Sequence, residues 1–339
     1  MLHRLHTHHS PCHRVFLLSL LALMVVGSSA CGAPPPKVYR VGILSGLPPF
    51  AAMADGFQAR MAELGYVEGR NITYDRQAVN PGSAEEQRAA HKFVDEHVDL
   101  IFVFPTEASL TVKAVTQGTN IPVVFASATL EGVDLVRSVR EPGGNLTGLR
   151  FPGPELMVAR TELLHEIVPH AKRIGIFYNP HYPANQSGLE ALRAEAPALG
   201  ITFVEITVPS VPDLQTVLQT RAHQPDIGMD AIVISTDDVT QSPDGWPLIS
   251  AFAAAHRIPI AGSAAFEADS GALFTYIPDN IETGRMAAPL ADKIFSGIAP
   301  GTIPVVTPDP QLRINYQRAQ TLGLTIPDRL LKQAADIIR

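Results

Sequence analysis

The chain has 339 residues with a formal charge of −7 and a hydrophobic content of 46%. That composition excludes an intrinsically disordered protein, and with no basic block anywhere it excludes nucleic acid as a partner. About 300 residues beyond a removable leader exceed the usual size of one hydrophobic core and predict two lobes.

The leader comes first. Arg4 and Arg14 precede an apolar run at 15–26, and Gly27, Ser28, Ser29 and Ala30 supply small residues before Cys31, the three-part layout of a secretion signal at 1–30. The run is too short for a bilayer core that needs about 20 residues, so no permanent span is expected there. Losing the two arginines takes the formal charge from −7 to −9. Cys12 lies inside the leader, so Cys31 is left without a partner for an internal disulfide. The end of the leader resembles the lipobox of bacterial lipoproteins, in which such a cysteine takes a diacylglycerol. Ser28 departs from the leucine or valine usual there, and cleavage after Ala30 by ordinary signal peptidase is the alternative. Residues 31–37, rich in proline, then read as a stiff spacer from the membrane. His3, His6, His8, His9 and His13 fall in the removed segment, so no metal site is expected from them.

From Lys37 onward short β-branched runs alternate with helical patterns, as in parallel βαβ units. Segments 38–44, 71–77, 100–104 and 123–126 read as strands. Met53, Phe57, Met61 and Leu64 form one apolar helical stripe, and Ser83 with Glu86 signs the start of the next helix. The order then repeats. Arg40 to Leu44 is echoed by Arg173 to Phe177, Leu64-Gly65 by Leu199-Gly200, Asp99 to Val103 by Asp230 to Ile234, and Ile121-Pro122 by Ile258-Pro259. A nearly constant offset across four elements predicts two α/β lobes of similar topology, each an open, Rossmann-like parallel sheet covered by helices. The expected division is 38–147 plus about 273–300 for the first lobe, and 148–272 plus about 301–339 for the second.

Ligands of open parallel sheets bind beyond the carboxyl ends of the strands. The loops that should line a cleft between the lobes are 45–50, 105–109, 127–130, 179–185, 237–242 and 263–267. Their hydroxyls and amides suit a small polar ligand. Glu141 to Gly148, with proline and two glycines, reads as a passage between the lobes.

Gly65 to Asn71, Asn120 to Phe125, the P-G-G-N-L-T-G segment ending at Gly148, and Asn315 to Pro327 occur in an order that resembles the substrate-binding lipoproteins of bacterial ABC importers, the family with tryptophan- and tyrosine-binding members. The resemblance covers roughly 38–338. It implies the type I periplasmic-binding-protein fold, hinged closure over a ligand, and delivery to a membrane permease. Thr129-Leu130 departs from the Asp-Pro that many relatives carry, which puts an aromatic amino acid ligand in doubt.

The candidate contacts are Ser45, Gly46 and Phe50 after the first strand, Thr106 and Ser109 after the third, and Ser127 and Thr129 after the fourth. The second lobe offers Asn179, Asn185, Asp237 and Ser263, with Tyr276 at a second passage. Phe50 stacks on a ligand ring or covers loop backbone. Thr106 and Ser109 bind a carboxylate or cap a helix. Asp237 pairs with a ligand amine or caps the following helix, and Asn185 caps first and contacts ligand second. Tyr276 sits at the cleft rim or braces the hinge, and the lone Trp246 reads as packing. No nucleophile elbow, phosphate loop or C-x-x-C motif is present, so no catalytic residue, cofactor or metal is expected. The expectation is an extracytoplasmic, lipid-anchored, monomeric receptor for a small molecule serving an ABC permease. The alternative is a ligand sensor feeding a membrane signalling kinase.

Overall fold

The computed structural model describes residues 37–46, 50–80, 82–182 and 185–339. The leader and Cys31 lie outside the described residues. The first sheet is built from β1 (Tyr39–Ser45), β2 (Ile72–Ala78), β3 (Leu100–Phe104), β4 (Val123–Ala128) and β5 (Leu146–Arg150), with helices α1 (Ala52–Glu63), α2 (Ala84–Asp95) and α3 (Thr106–Val115) between the first four. Its order is β2-β1-β3-β4-β5, and every pairing is parallel.

The chain then builds a second sheet. It runs through α4 (Gly153–Ile167), β6 (Arg173–Tyr178), α5 (Asn185–Leu199), β7 (Thr202–Thr207), α6 (Val211–Ala222), β8 (Ala231–Ile234), α7 (Gly245–Ala255), β9 (Ile260–Gly262), α8 (Ala265–Asp269) and β10 (Phe274–Pro278). Next α9 (Asn280–Phe295) returns to the first sheet. The chain comes back for β11 (Pro310–Asn315), α10 (Tyr316–Leu322), α11 (Asp328–Gln333) and β12 (Asp336–Ile338). The second sheet has the order β12-β11-β10-β9-β8-β6-β7, with β11 antiparallel to β10. Its part β7-β6-β8-β9-β10 repeats the first sheet's order strand for strand.

The sequence echo has a physical counterpart in both halves. Asp99 accepts the Arg40 amide at 2.8 Å, and Asp230 accepts the Arg173 amide at 2.8 Å, so the same aspartate pins the same neighbouring strand. Both arginines also pair with a carboxylate at the preceding helix or loop end, Glu96 and Asp226 respectively. Gly42 and Gly175 sit mid-strand where a Cβ would lie 2.6 Å from the Phe93 ring and 2.6 Å from the Met229 sulfur. Each strand thus leaves room for one bulky side chain from the covering layer.

Helices cover both faces of each sheet, which is why the strands read as continuous apolar runs. Along β3, Leu100, Phe102 and Phe104 join Met53, Phe57 and the α9 alanines, while Ile101 and Val103 join Phe93 and Val112 on the other face. In the second half Ile174 and Ile176 face the α4–α5 layer, and Phe177 and Ile234 face the α6–α7 layer. Hydroxyl and carboxyl caps start several helices: Ser83 accepts the Glu86 amide at 3.1 Å, and Asp279 accepts the Glu282 amide at 2.8 Å. Helix α9 crosses α1 at backbone contact. A Cβ on Gly56 would lie 2.0 Å from the Ile281 carbonyl, and one on Gly284 2.0 Å from that of Met53.

The passages between sheets fall elsewhere than expected. Because β5 belongs to the first sheet, the first passage is at Phe151-Pro152, after rather than within Glu141 to Gly148. That glycine-rich segment instead leads into β5. Gly143 and Gly144 take positive φ, and the Asn145 amide reaches the Ile121 carbonyl at 2.6 Å. Because β10 belongs to the second sheet, the return passage lies after Pro278 rather than near 273. Residues 301–306 stay with the first sheet, where Thr147 donates to the Ile303 carbonyl at 2.8 Å and the Val306 amide to Gly148 at 3.0 Å. The last passage is therefore at 307–309, and the closing segment from Pro310 adds to the second sheet.

Candidate functional site

A cavity of about 290 Å³ lies where carboxyl ends of strands from both sheets converge. The first sheet contributes Phe50 after β1, Pro105 and Thr106 after β3, Ser127 and Thr129 at the end of β4, and Phe151 after β5. The second contributes Met157 and Arg160 from α4, Tyr182 and Asn185 after β6, Thr236 and Gln241 after β8, and Ser263 to Phe266 after β9. Ile277 to Ile281, where the chain passes from β10 to α9, close the wall. Each of the six loops expected at a cleft supplies at least one lining residue. Residues 47–49 and 183–184 of those loops lie outside the described residues.

Of the twelve candidate contacts, Phe50, Thr106, Ser127, Thr129, Asn185 and Ser263 line this cavity. Thr106 at the start of α3 accepts the Thr129 amide at 3.0 Å, which ties the loops after β3 and β4. Ser127 has a φ of 51° inside a register shift between Phe125 and Ala128. A non-glycine residue there costs about 1–2 kcal/mol, and the bulge turns the strand end toward the cavity.

The other six are placed elsewhere. Ser45 and Gly46 close the back of the strand ends, Ser45 through its carbonyl to Val79 and Gly46 through its amide to Phe104. The Ser109 hydroxyl donates to the Pro105 carbonyl at 2.7 Å within its own helix. Tyr276 packs on the core beneath α4 and lines a separate groove with Glu166 and Arg329. Trp246 is buried packing, its indole N–H on Ser270 at 2.7 Å and its ring edge-on to Phe266.

Asp237 is the largest change of role. Its carboxylate is 2% exposed, and six donor groups lie within hydrogen-bond distance of it, two of them hydroxyls that also reach a backbone carbonyl. The Val239 and Thr240 amides and the Thr240 hydroxyl reach one oxygen at 3.0, 2.8 and 2.9 Å. The Asn179 amide, the Asn185 side chain and the Ser235 hydroxyl reach the other at 2.9, 3.1 and 2.6 Å. With both oxygens filled, the carboxylate holds the loops after β6 and β8 together and is not among the cavity-lining residues. Asn179 serves the same knot, its side chain donating to Asp238 at 2.8 Å.

The cavity's positive charge comes from a residue that the strand-end pattern does not point to. Arg160 is 1% exposed and sits in the apolar stripe of α4 with Leu156, Met157, Thr161 and Leu164. An arginine at that register was the signal available in the sequence. Its Nε donates to the Leu156 carbonyl at 3.1 Å and Nη1 to the Gly262 carbonyl at 3.4 Å. Burial pulls its pKa down to about 10, so it stays charged at neutral pH. Glu267 lies close enough to act on it, yet one of its oxygens accepts the Ser263 and Ala264 amides at 2.6 and 3.1 Å and no hydrogen bond joins it to the arginine among the described residues. Burial pushes the Glu267 carboxyl up to about 7 against the pull of those amides and of Arg160. At the cavity's edge Glu107 of α3 faces Tyr182 from the other half. Burial raises the Glu107 pKa first of all, and Glu86 and Asp238 add to it.

Replacing Asp237 with Ala strands several buried donors at once. The unliganded protein should lose about 3 kcal/mol or more in chemical denaturation, and an unchanged midpoint would return Asp237 to the list of free ligand contacts. Glu267 yields a pH dependence. The native protein holds its proton to about pH 7, whereas the ordinary value is 4.5, so the folded state binds more protons between those values. Its contribution is whole below pH 4.5 and is lost as pH rises through 7. Stability measured across that window should therefore fall less steeply for Glu267→Gln, which keeps an acceptor for the two amides, than for the parent; parallel curves would contradict this.

Residues 41–338 match the model of the ABC transporter substrate binding protein family. A tyrosine-binding protein of Clostridioides difficile (strain R20291) is 28% identical over 273 residues, 79% of this chain and 76% of its own. Among solved structures, the ABC domain from Streptococcus pneumonia in complex with L-Trp superposes with a TM-score of 0.79 at 25% identity, over 89% of this chain and all of the other. A conserved domain protein from Vibrio cholerae gives a TM-score of 0.79 at 28% identity over the same shares. Two sheets of order 2-1-3-4-5, one extended by β11 and β12, agree with the type I periplasmic-binding-protein fold of these neighbours. The chain belongs to the family of ABC transporter substrate-binding proteins.

Proposed function

We propose that this protein captures a small polar solute in the cavity between its two sheets and presents it to the permease of an ABC importer. The observation that carries the reading is that loops from both sheets line one cavity while the chain passes between the sheets three times. Short passages of this kind suit a hinged closure over a ligand. The protein itself performs no chemistry on the solute. Phe50, Phe151 and Phe266 with Thr106, Thr129 and Asn185 offer apolar walls and hydrogen bonds together, which suits an amino acid or an aromatic compound. The tyrosine-binding relative and the L-Trp complex support that class.

The receptor works outside the cytoplasm, held to the membrane by a diacylglycerol on Cys31. No helix among the described residues is long and apolar enough to cross a bilayer. Mass spectrometry of the membrane fraction should find the lipid adduct on Cys31, and a mature protein with an unmodified Cys31 would remove the anchor.

A thermal-shift screen of the purified protein against amino acids, aromatic acids, sugars and nucleosides tests the capture itself. A ligand at a hundredfold excess over its dissociation constant adds about 2.7 kcal/mol, a rise of roughly 5 °C for a chain of this size. If no class moves the melting temperature, capture in this cavity loses its support.

A further inference from the structure

We infer that Arg160 is the anion anchor of the cavity, so that the solute is a carboxylate on an apolar, ring-sized body and is recognised chiefly through its anionic end. The inference rests on the cavity being the binding site and goes on to name the chemistry of its ligand. Arg160 is fully buried, yet its donors are mostly unused: the contact with Leu156 lies within its own helix, that with Gly262 is long, and Nη2 has no partner among the described residues. No carboxylate stands within ion-pair distance of it among the ion pairs of the described residues. A buried guanidinium without an ion pair loses several kcal/mol of hydration that only an anion with good geometry offsets, and a carboxylate matches its planar fork.

The protein's own acids do not fill that role. Glu267 has one oxygen committed to the Ser263 and Ala264 amides and makes no hydrogen bond to the arginine. Asp237 is filled by its six donors and lies off the cavity. The acid that does line the wall, Asp279, is half-buried and already caps α9 through one oxygen. The cavity therefore holds a deep cation and only a shallow, partly committed anion. A carboxylate gains more from it than an ammonium does. Phe50, Phe151, Phe266, Met157 and Ile281 supply the apolar surface for the rest of the ligand, and a volume of about 290 Å³ limits it to a small molecule.

The test uses matched pairs on the purified protein: L-tyrosine, L-tryptophan, 3-phenylpropionate and benzoate, each against its primary amide, by calorimetry and thermal shift. At least one acid should bind, and its amide should bind at least tenfold more weakly. Arg160→Met should weaken that acid about a hundredfold and Arg160→Lys less, since lysine keeps the charge without the fork. The melting temperature of unliganded Arg160→Met should not fall, because removing an unpaired buried charge relieves a cost. A fall with binding intact would make Arg160 a structural partner of Glu267 and overturn the inference. So would an amide that binds as tightly as its acid, which needs no variant to fold. A protein stabilised only by sugars or nucleosides would overturn the anion anchor and leave capture standing. A protein that none of the solutes stabilises would overturn both.

Discussion

Parallel strand pairing is the constraint from which the site follows. A parallel neighbour cannot be reached by a hairpin, so each connection crosses over through a helix and every strand of the set points the same way. All carboxyl ends then emerge on one edge, and the loops that leave them are neighbours whatever their sequence. In this chain the arrangement occurs twice, as β2-β1-β3-β4-β5 and as β7-β6-β8-β9-β10. The strand that departs from the rule, β11, pairs antiparallel with β10 at the far side of the second sheet. The candidate binding surface is therefore a property of topology first and of side chains second.

This explains why the fold was legible and the lining of the cavity was only half so. Strand runs such as Leu100 to Phe104 are apolar at every position because both faces are buried, and that signal survives in a single sequence. The recurrence of Arg40 with Asp99 as Arg173 with Asp230 is equally visible, because the pair performs the same hydrogen bonding twice. Passages between lobes leave a fainter trace. Pro142, Gly143 and Gly144 look like a crossing, yet they turn the chain into β5, and the crossing itself follows at Phe151. Glycine reports a local backbone need, here positive φ, and says nothing of which sheet comes next.

Asp237 and Arg160 show where sequence patterns stop. A carboxylate at a strand end and one that ties a loop to its neighbour occupy the same sequence position, and only the donors around them differ. Six donors converge on Asp237 because the chain turns back at Val239 and Thr240 while the loop from β6 arrives alongside. Arg160 is hidden for the opposite reason. It comes from a helix, so a search of strand ends passes over it, although an arginine among Leu156, Met157 and Leu164 breaks the stripe's chemistry at one point. A charge at a core register must find a partner in the protein or outside it.

The two halves also meet at Glu107, and that contact bears on how closure works in the proposed receptor. Its carboxyl is buried between α3 and the loop bearing Tyr182, with Glu86 and Asp238 near enough to disfavour its charge. Tyr182, arriving from the other half, draws the Glu107 pKa the opposite way, so the contact between the halves carries opposing effects. A ligand moves an open and closed equilibrium only by its preference for one of the two. In the proposed receptor such a preference would come from the cavity itself, where Arg160 and the apolar walls are supplied by elements of both halves.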